Sequence, residues 1–258
     1  MNQKLVFLDL DGTIIDHNNH TIPESTLVAL NEAKRNGHII IIATGRSPSL
    51  LAGIEDILGI KTYIAANGRY VKHENQLIYS DNINPNIVKS LIKDAEALGL
   101  DLGIITSTEY LVVNRKTDLP KQFSEHFNLE TPKSIDLFKD LDDVLQMVLY
   151  DQSNSWKRLE RQYKSLAFHR SCEFGVDING SDGMKDIGVK ILCEYFRSTY
   201  DDVIAIGDGY NDISMIKLAG IGVAMGNGCQ PLKEAADIIT KSVDQDGIYA
   251  VFKRLDLI

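Results

Sequence analysis

Short apolar runs alternate with amphipathic segments over the first hundred or so residues. Residues 5–10 (LVFLDL) predict a strand, and residues 38–43 (HIIIIA) are typical of a strand buried on both faces of a parallel sheet. The segment between them has apolar positions at helical spacing, and a helix over about 48–58 leads to a short strand over 62–66. This βαβαβ order predicts right-handed crossovers and a parallel sheet.

The first of these helices has recognisable end signals. Thr21 and Glu24 stand at capping-box spacing, Pro23 lies in the expected first turn, and Gly37 marks the end. We therefore expect the helix to begin at a capping box formed by Thr21 and Glu24.

The same alternation returns in the last part of the chain. Helices are predicted over 184–197, 212–218, 231–236 and 247–254, and strands over 202–206, 221–224 and 238–240. The two ends of the chain thus share one α/β pattern.

The middle of the chain has a different pattern. Its predicted strands come in adjacent pairs, 101–106 with 110–114 and 166–169 with 173–177, separated by helices near 86–98, 121–127 and 155–163. Paired strands predict an antiparallel sheet with helices packed on it. The predicted fold class is therefore α/β, with a Rossmann-like parallel-sheet core at residues 1–81 and 180–258 and an α+β domain inserted at 82–179.

Composition narrows the functional classes. The 258 residues carry a formal charge of −9, which argues against nonspecific binding to nucleic acid or to an anionic membrane. No apolar run is long enough for a signal peptide or a membrane span. Cys172, Cys193 and Cys229 are odd in number and far apart, which predicts structural thiols in a reducing cytoplasm.

Polar residues gather where the predicted parallel strands end, which is where ligands bind in an open α/β sheet. Those residues are Asp9, Asp11, Thr44, Gly45, Arg46, Asn67, Gly68, Asp208, Asn211 and Asp212, with Lys185 at the start of a helix. Asp9, Asp11 and Asp208 form a hard oxygen site suited to Mg²⁺. Thr44 and Lys185 can donate to phosphate oxygens. One carboxylate can act as a nucleophile while its neighbour moves a proton.

DLDGT, ATGR, the isolated Lys185 and GDGYND occur in the order of the four motifs of the haloacid-dehalogenase-like phosphohydrolase superfamily, which this chain resembles. The placement of the middle domain resembles the Cof-type members, which have an α+β cap of class IIB. The resemblance implies that Asp9 is the nucleophile and a Mg²⁺ ligand. It implies that Asp11 is the general acid/base and offers its backbone carbonyl to the metal.

The same resemblance implies the remaining roles. Asp208 would be the third protein ligand, and Asp212 would belong to the metal site by supporting the ligands. The phosphoryl group would be held by Thr44, Gly45, Lys185 and Asn211. An Asp at position 11, where ion-pumping relatives have Thr, favours turnover of an aspartyl phosphate.

Several positions allow two interpretations. Arg46 either borders the site or pairs with a structural acid, and Asn67-Gly68 is either a turn or a border of the substrate site. His17 and His20 are assigned to a solvated loop rather than to a metal site. The hinge around Lys185 departs from the family pattern: residues 177–184 (DINGSDGM) precede the lysine where many relatives have Glu-Ile and then Pro, Gly and Ser or Thr, and Asp186 follows it in place of the usual Gly.

The predicted function is a Mg²⁺-dependent phosphatase that hydrolyses small phosphomonoesters, sugar phosphate or nucleotide-like, through an aspartyl phosphate. A sugar phosphomutase and a non-catalytic phospho-ligand sensor are the alternatives. The expected partner is a small phosphorylated metabolite, with no nucleic acid or membrane, and the expected state is a monomer or a weak homodimer.

Overall fold

The computed structural model of the protein describes residues 3–51, 53–127, 129–136, 139, 141–180 and 184–258. It divides into two units. The first comprises Met1–Gly45, Gly53–Ser80 and Met184–Ile258, and the second comprises Arg46–Ala52 and Asp81–Gly183. Residues 46–52 therefore group with the second unit. The sequence pattern did not indicate this grouping. The predicted domain limits at 81/82 and 179/180 stay a prediction.

The elements are numbered along the chain. The strands are β1 Leu5–Leu8, β2 Ile39–Ala43, β3 Thr62–Ala65, β4 Tyr70–His73, β5 Gln76–Ser80, β6 Asp101–Thr106, β7 Tyr110–Val113, β8 Lys133–Ile135, β9 Val144–Tyr150, β10 Ala167–Cys172, β11 Gly175–Asn179, β12 Val203–Gly207, β13 Ile221–Ala224 and β14 Ile238–Ile239. The α-helices are α1 Glu24–Arg35, α2 Ile54–Leu58, α3 Pro85–Ala97, α4 Leu119–His126, α5 Trp156–Gln162, α6 Lys185–Phe196, α7 Ile213–Leu218, α8 Gln230–Ala235 and α9 Gly247–Arg254.

The first unit is built on one eight-stranded sheet with the strand order β14-β13-β12-β1-β2-β3-β4-β5. The strands from β14 to β3 run parallel, and β4 and β5 are antiparallel. Phe7 packs in one cluster with residues of α6 and α7, while its neighbours Val6 and Leu8 are also fully buried. Burial on both faces is what a continuous apolar run predicts. The α/β fold class is confirmed.

The antiparallel hairpin β4–β5 was not predicted. Its two strands extend the sheet beyond β3 and meet at a turn where Glu74 has a φ of 52°. The residues of β5 are exposed or half-buried, so this strand lacks the apolar run that marks the inner strands. An edge strand of this kind gives little hydrophobic signal.

Two details of the predicted helices near the start of the chain were wrong: the cap of the first helix and the continuity of the second. The first helix begins at Glu24 with Pro23 in the N-cap position, whereas Thr21 Oγ1 donates to Asn19 Oδ1 at 2.6 Å. The predicted helix over 48–58 is a 3₁₀ turn at Pro48–Leu50 followed by α2, and residue 52 lies outside the described residues. Gly53 has a φ of 84° before α2, a conformation that glycine adopts at little cost and that interrupts a helix.

The second unit has a six-stranded sheet with the order β10-β11-β9-β6-β7-β8. Its strand pairs are antiparallel apart from β7 and β8. Both predicted strand pairs form, and the α+β character is confirmed. The central strand β9 was missed, because a short apolar run such as VLQMVLY has no periodicity that separates a buried strand from a buried helix.

No helix within the part of the chain that the structure describes is long and apolar enough to cross a membrane. Cys172, Cys193 and Cys229 are free thiols. Residues 181–183, which belong to the atypical hinge before Lys185, lie outside the described residues.

A buried histidine lies at the start of β2, at the edge of the sheet opposite the predicted site. His38 is 5% exposed, and its Nδ1 accepts a hydrogen bond from the Lys4 backbone N–H at 3.2 Å. Its Nε2 is buried and has no hydrogen-bond partner within the described residues. Burial, aided by the positive charge of Lys4, lowers the pKa of His38, because both disfavour the imidazolium.

This histidine makes stability depend on pH. The unfolded chain binds a proton at His38 near pH 6.5, whereas the folded chain binds it at lower pH. Its contribution to stability is therefore complete above pH 6.5 and is lost as the pH falls toward the folded-state pKa, with a slope of at most about 1.4 kcal/mol per pH unit.

We expect His38→Asn, whose amide oxygen can still accept from Lys4, to remove this part of the slope. The measurement is urea unfolding between about pH 5 and 8. The exposed His20→Asn is the matched control and should keep the wild-type slope. Equal slopes in all three proteins would show that His38 does not titrate as described.

Candidate functional site

Two aspartates follow adjacent parallel strands at the centre of the first sheet. Asp9 comes directly after β1, and its N–H donates to Ile206 O of β12 at 2.9 Å. Asp208 comes directly after β12. Because β1 and β12 are paired in parallel, both residues lie at the carboxyl edge of the sheet, as predicted.

A third carboxylate completes the group. Asp9, Asp208 and Asp212 each place one oxygen within 4.8 Å of the others. Burial raises the pKa of Asp9 well above its usual range; Lys185 opposes this shift, and the charges of Asp212 and Asp208 add to it. Burial also raises the pKa of Asp208, against a hydrogen bond from Thr13. Ionisation of these carboxyl groups is therefore unfavourable unless a positive charge lies close to them.

Part of that positive charge comes from the first residue of α6. Lys185 is fully buried, and its Nζ lies 2.5 Å from Asp9 Oδ1 and 2.5 Å from Asp212 Oδ1. Burial alone would lower the pKa of this ammonium, but the charges of Asp212 and Asp9 outweigh burial and raise it. Lys185 is therefore protonated in the fold.

The residue after Lys185, the departure from the family pattern, has a local role. Asp186 Oδ2 accepts from Lys190 Nζ at 2.6 Å, one helical turn further on. A carboxylate in the first turn also interacts favourably with the helix dipole. Both effects stabilise the start of the helix that carries Lys185.

Asp212 is engaged at both oxygens. Oδ1 faces Lys185, and Oδ2 accepts from the backbone N–H of Asp208 at 2.9 Å and of Gly209 at 2.8 Å. A β-carbon at Gly207 would lie 2.5 Å from Asp212 Cγ, so the carboxylate occupies space that a side chain would need. Asp212 thus fixes both the turn that carries Asp208 and the position of Lys185.

The loop after Asp9 closes tightly on Asp208. Gly12 has a φ of 87°, and a β-carbon there would lie 2.2 Å from Asp208 Oδ2. Thr13 Oγ1 donates to Asp208 Oδ1 at 3.0 Å, and Asn227 Nδ2 donates to Gly12 O at 2.8 Å. The carboxylate of Asp11, in the same loop, is not part of the cluster of three.

The predicted phosphate-binding residues come from three segments of the first unit: the segment after β2, the start of α6 and the segment after β12. Thr44 follows β2 and is buried, and its N–H donates to Ile64 O at 2.9 Å. Asn211 Nδ2 donates to Asn67 Oδ1 at 3.0 Å, and Asn67 N–H donates to Thr44 O at 3.1 Å. Asn67 therefore links the segment after β2 with the segment after β12.

Sequence reasoning missed three contacts at this edge. His17 was assigned to a solvated loop; its side chain is 61% exposed, yet its Nε2 lies 3.8 Å from Asp208 Oδ2. The links from Thr13 to Asp208 and from Asn227 to Gly12 were also not predicted. Each joins residues about two hundred positions apart, and the local sequence around them carries no signal for such a contact.

Comparison with known proteins identifies the family of this chain. A family model described as haloacid dehalogenase-like hydrolase matches residues 6–252. A Bacillus subtilis (strain 168) protein named "Putative phosphatase YkrA" is 37% identical over the full length of both chains. A crystal structure of a protein from Geobacillus kaustophilus HTA426 has a TM-score of 0.94 at 30% identity and full coverage of both chains.

A second solved structure carries a functional description. It is the subclass IIB sugar phosphatase BT4131, with a TM-score of 0.82 at 29% identity, covering 99% of this chain and 100% of that one. Relatives named as phosphatases align over the whole chain, so the similarity includes both units. The protein belongs to the haloacid dehalogenase-like hydrolases and is a phosphatase.

Proposed function

We propose that the protein is a Mg²⁺-dependent phosphatase that hydrolyses small phosphomonoesters through an aspartyl phosphate on Asp9. The observation that carries the proposal is the group of three carboxylates, Asp9, Asp208 and Asp212, of which Asp9 and Asp212 pair with the buried Lys185. Three carboxylates against one ammonium leave two negative charges when all are ionised, which suits one divalent cation.

The donor set fits magnesium. Asp9 and Asp208 would bind it through carboxylate oxygens, with the backbone carbonyl of Asp11, and hard oxygen ligands are what Mg²⁺ prefers. Asp212 would act by holding Asp208 and Lys185, because both of its oxygens already accept hydrogen bonds. When bound, the ion would neutralise charge on the phosphoryl group and the carboxylates.

The residues of the chain would then divide the chemistry. A carboxylate oxygen of Asp9 attacks phosphorus while the bond from phosphorus to the ester oxygen breaks, and Asp11 gives its proton to that departing oxygen. A water molecule then attacks the phosphorus of the aspartyl phosphate. Asp11 accepts its proton, and phosphate leaves with Asp9 restored.

Placement of charge supplies most of the catalysis in such a transfer. Lys185 is fixed by two carboxylates before substrate arrives, so its ammonium needs no reorganisation to stabilise the phosphoryl oxygens. Thr44, Gly45 and Asn211 would donate further hydrogen bonds to the same oxygens.

For the substrate we propose a small phosphomonoester, with sugar phosphates first. The structural similarity to a sugar phosphatase supports this choice. The free cysteines are compatible with a reducing compartment, and we propose a cytoplasmic enzyme that acts as a monomer or weak homodimer.

A panel of phosphorylated metabolites tests the proposal. Wild-type protein with Mg²⁺ should release free phosphate from sugar phosphates or nucleotide-like monoesters. Conversion of a hexose phosphate into its isomer with little free phosphate would instead show a phosphomutase. Tight binding without turnover across the panel would favour a sensor.

Asp9→Asn should lower kcat by at least about a thousandfold, since an amide cannot form the covalent intermediate. Acid-quenched wild-type protein should carry a phosphoryl group on the peptide containing Asp9, and the variant should not. Asp237→Asn is the control, because Asp237 Oδ2 accepts from Gly222 N–H at 2.8 Å elsewhere in the same sheet. Retained turnover in Asp9→Asn would rule out this nucleophile.

Removal of divalent cations with EDTA should abolish phosphate release, and added Mg²⁺ should restore it. Mg²⁺ should also raise the melting temperature, because it binds the folded chain preferentially. In Asp208→Asn the affinity for Mg²⁺ should fall by at least about tenfold to a hundredfold, the loss that removal of a residue supporting a metal ligand already causes. An EDTA-resistant activity, or an equal thermal shift in the Asp208 variant, would contradict the assigned metal site.

A further inference from the structure

A strained turn lies between β3 and β4. Ala66, Asn67 and Gly68 are three consecutive residues with positive φ, at 50°, 52° and 95°. Glycine adopts this conformation freely, asparagine adopts it less readily, and alanine adopts it only at a steric cost from its β-carbon. Strain of this kind persists where surrounding contacts hold the backbone in place, and it concentrates at functional sites.

The main chain of this turn contacts the segment after β2. The N–H of Asn67 donates to Thr44 O at 3.1 Å. A β-carbon at Gly45 would lie 3.2 Å from Asn67 Oδ1 and 3.3 Å from its Nδ2, so the Asn67 amide packs closely against Gly45. The left-handed backbone therefore brings both the N–H and the side chain of Asn67 onto Thr44 and Gly45.

The Asn67 side chain also binds Asn211, which lies in the segment after β12. Its Oδ1 accepts from Asn211 Nδ2 at 3.0 Å. An amide nitrogen carries two hydrogens, so this bond orients the Asn211 amide and leaves its second N–H for another acceptor.

The last residue of the turn contacts the start of α6. A β-carbon at Gly68 would lie 2.4 Å from Met184 O and 3.6 Å from Lys185 Cα, so the glycine permits close approach of the two main chains. One short turn thus contacts every segment that carries a predicted phosphate-binding residue, namely Thr44, Gly45, Lys185 and Asn211.

We propose that Asn67 is a positioning residue for the phosphoryl group: it orients the amide of Asn211 and holds the Thr44–Gly45 main chain. The inference rests on the proposed function of the site. It assigns to Asn67 a role through its neighbours and requires no contact between Asn67 and substrate. The left-handed backbone at Asn67 places the side-chain amide between the two segments. The contacts on both sides hold the backbone in that strained conformation.

Asn67→Gly separates this role from a structural one. Glycine keeps the left-handed backbone and relieves its strain but removes the amide, so the melting temperature should be unchanged or higher. Affinity for inorganic phosphate in the presence of Mg²⁺, measured by calorimetry and as a competitive inhibition constant, should nevertheless fall about tenfold, the upper range for one lost hydrogen bond. A turn that merely connects β3 to β4 would show no such loss.

Asn114→Gly is the matched control. Asn114 is also a half-buried asparagine with positive φ, at 50°, and it lies at the end of β7 in the second unit, with its N–H donating to Ile135 O at 2.8 Å. This variant should show the same kind of stability change and keep wild-type affinity for phosphate.

A double-mutant cycle with Asn211→Ala tests the route of the effect. If Asn67 acts largely through Asn211, Asn67→Gly should weaken phosphate binding much less in the Asn211→Ala background than in wild type. Additive losses would overturn this route, and wild-type affinity in Asn67→Gly would overturn the proposal. Should the glycine variant not fold, the Asn211→Ala single variant carries the test, because it removes the amide that Asn67 orients: it should weaken phosphate binding, and wild-type affinity in it would overturn the proposed route.

The two proposals fail in distinguishable ways. Absence of phosphate release by wild-type protein with Mg²⁺ would overturn the proposed function, whatever the variants do. An active wild type whose Asn67→Gly variant behaves like Asn114→Gly would overturn the role of Asn67 and leave the proposed function standing.

Discussion

The ammonium of Lys185, held between the carboxylates of Asp9 and Asp212, is the interaction on which the site depends. Removal of one member from a buried ion group leaves the others uncompensated at a large cost. The three residues follow β1, begin α6 and follow β12, so the charge pairing ties these elements into one arrangement. The position of α6 against the sheet is thereby part of the chemistry as well as part of the packing.

The three aspartates of the cluster differ in the hydrogen bonds that their carboxylate oxygens accept. Both oxygens of Asp212 receive donors from the protein, which leaves it suited to orientation. Asp208 receives one hydrogen bond from Thr13, and Asp9 faces Lys185 through one oxygen. Among the described residues, oxygens without protein donors are the ones that a cation or a phosphorus atom could approach, so the hydrogen-bond pattern supports the proposed division into attack by Asp9, coordination by Asp208 and support by Asp212.

Sequence pattern predicts most of the first sheet because its inner strands are buried on both faces, and the predicted β13 and α9 match the observed limits. It predicts that Asp9 and Asp208 lie together because parallel strands end at one edge, but the third carboxylate of the cluster is that of Asp212 and not that of Asp11. It fails where stability comes from distant partners: the half-exposed edge strand β5, the central strand β9 and the contact of His17 with Asp208. The role of Asn67, either in a turn or at the border of the substrate site, stayed open in the sequence. A left-handed turn and long-range hydrogen bonds produce no periodic pattern of apolar residues.

The central strand β1 has consequences for biosynthesis. It pairs with β2, close in sequence, and with β12, which begins about two hundred residues later, and Lys185 lies 176 positions from Asp9. A sheet completed by such distant contacts closes late, and its exposed strand edges are open to aggregation until then. A nascent chain therefore holds Asp9 long before it holds the lysine, and it acquires a complete site only after the whole second unit has been synthesised. If Asp9 is the nucleophile as proposed, it has no lysine partner for as long as residue 185 has not been synthesised.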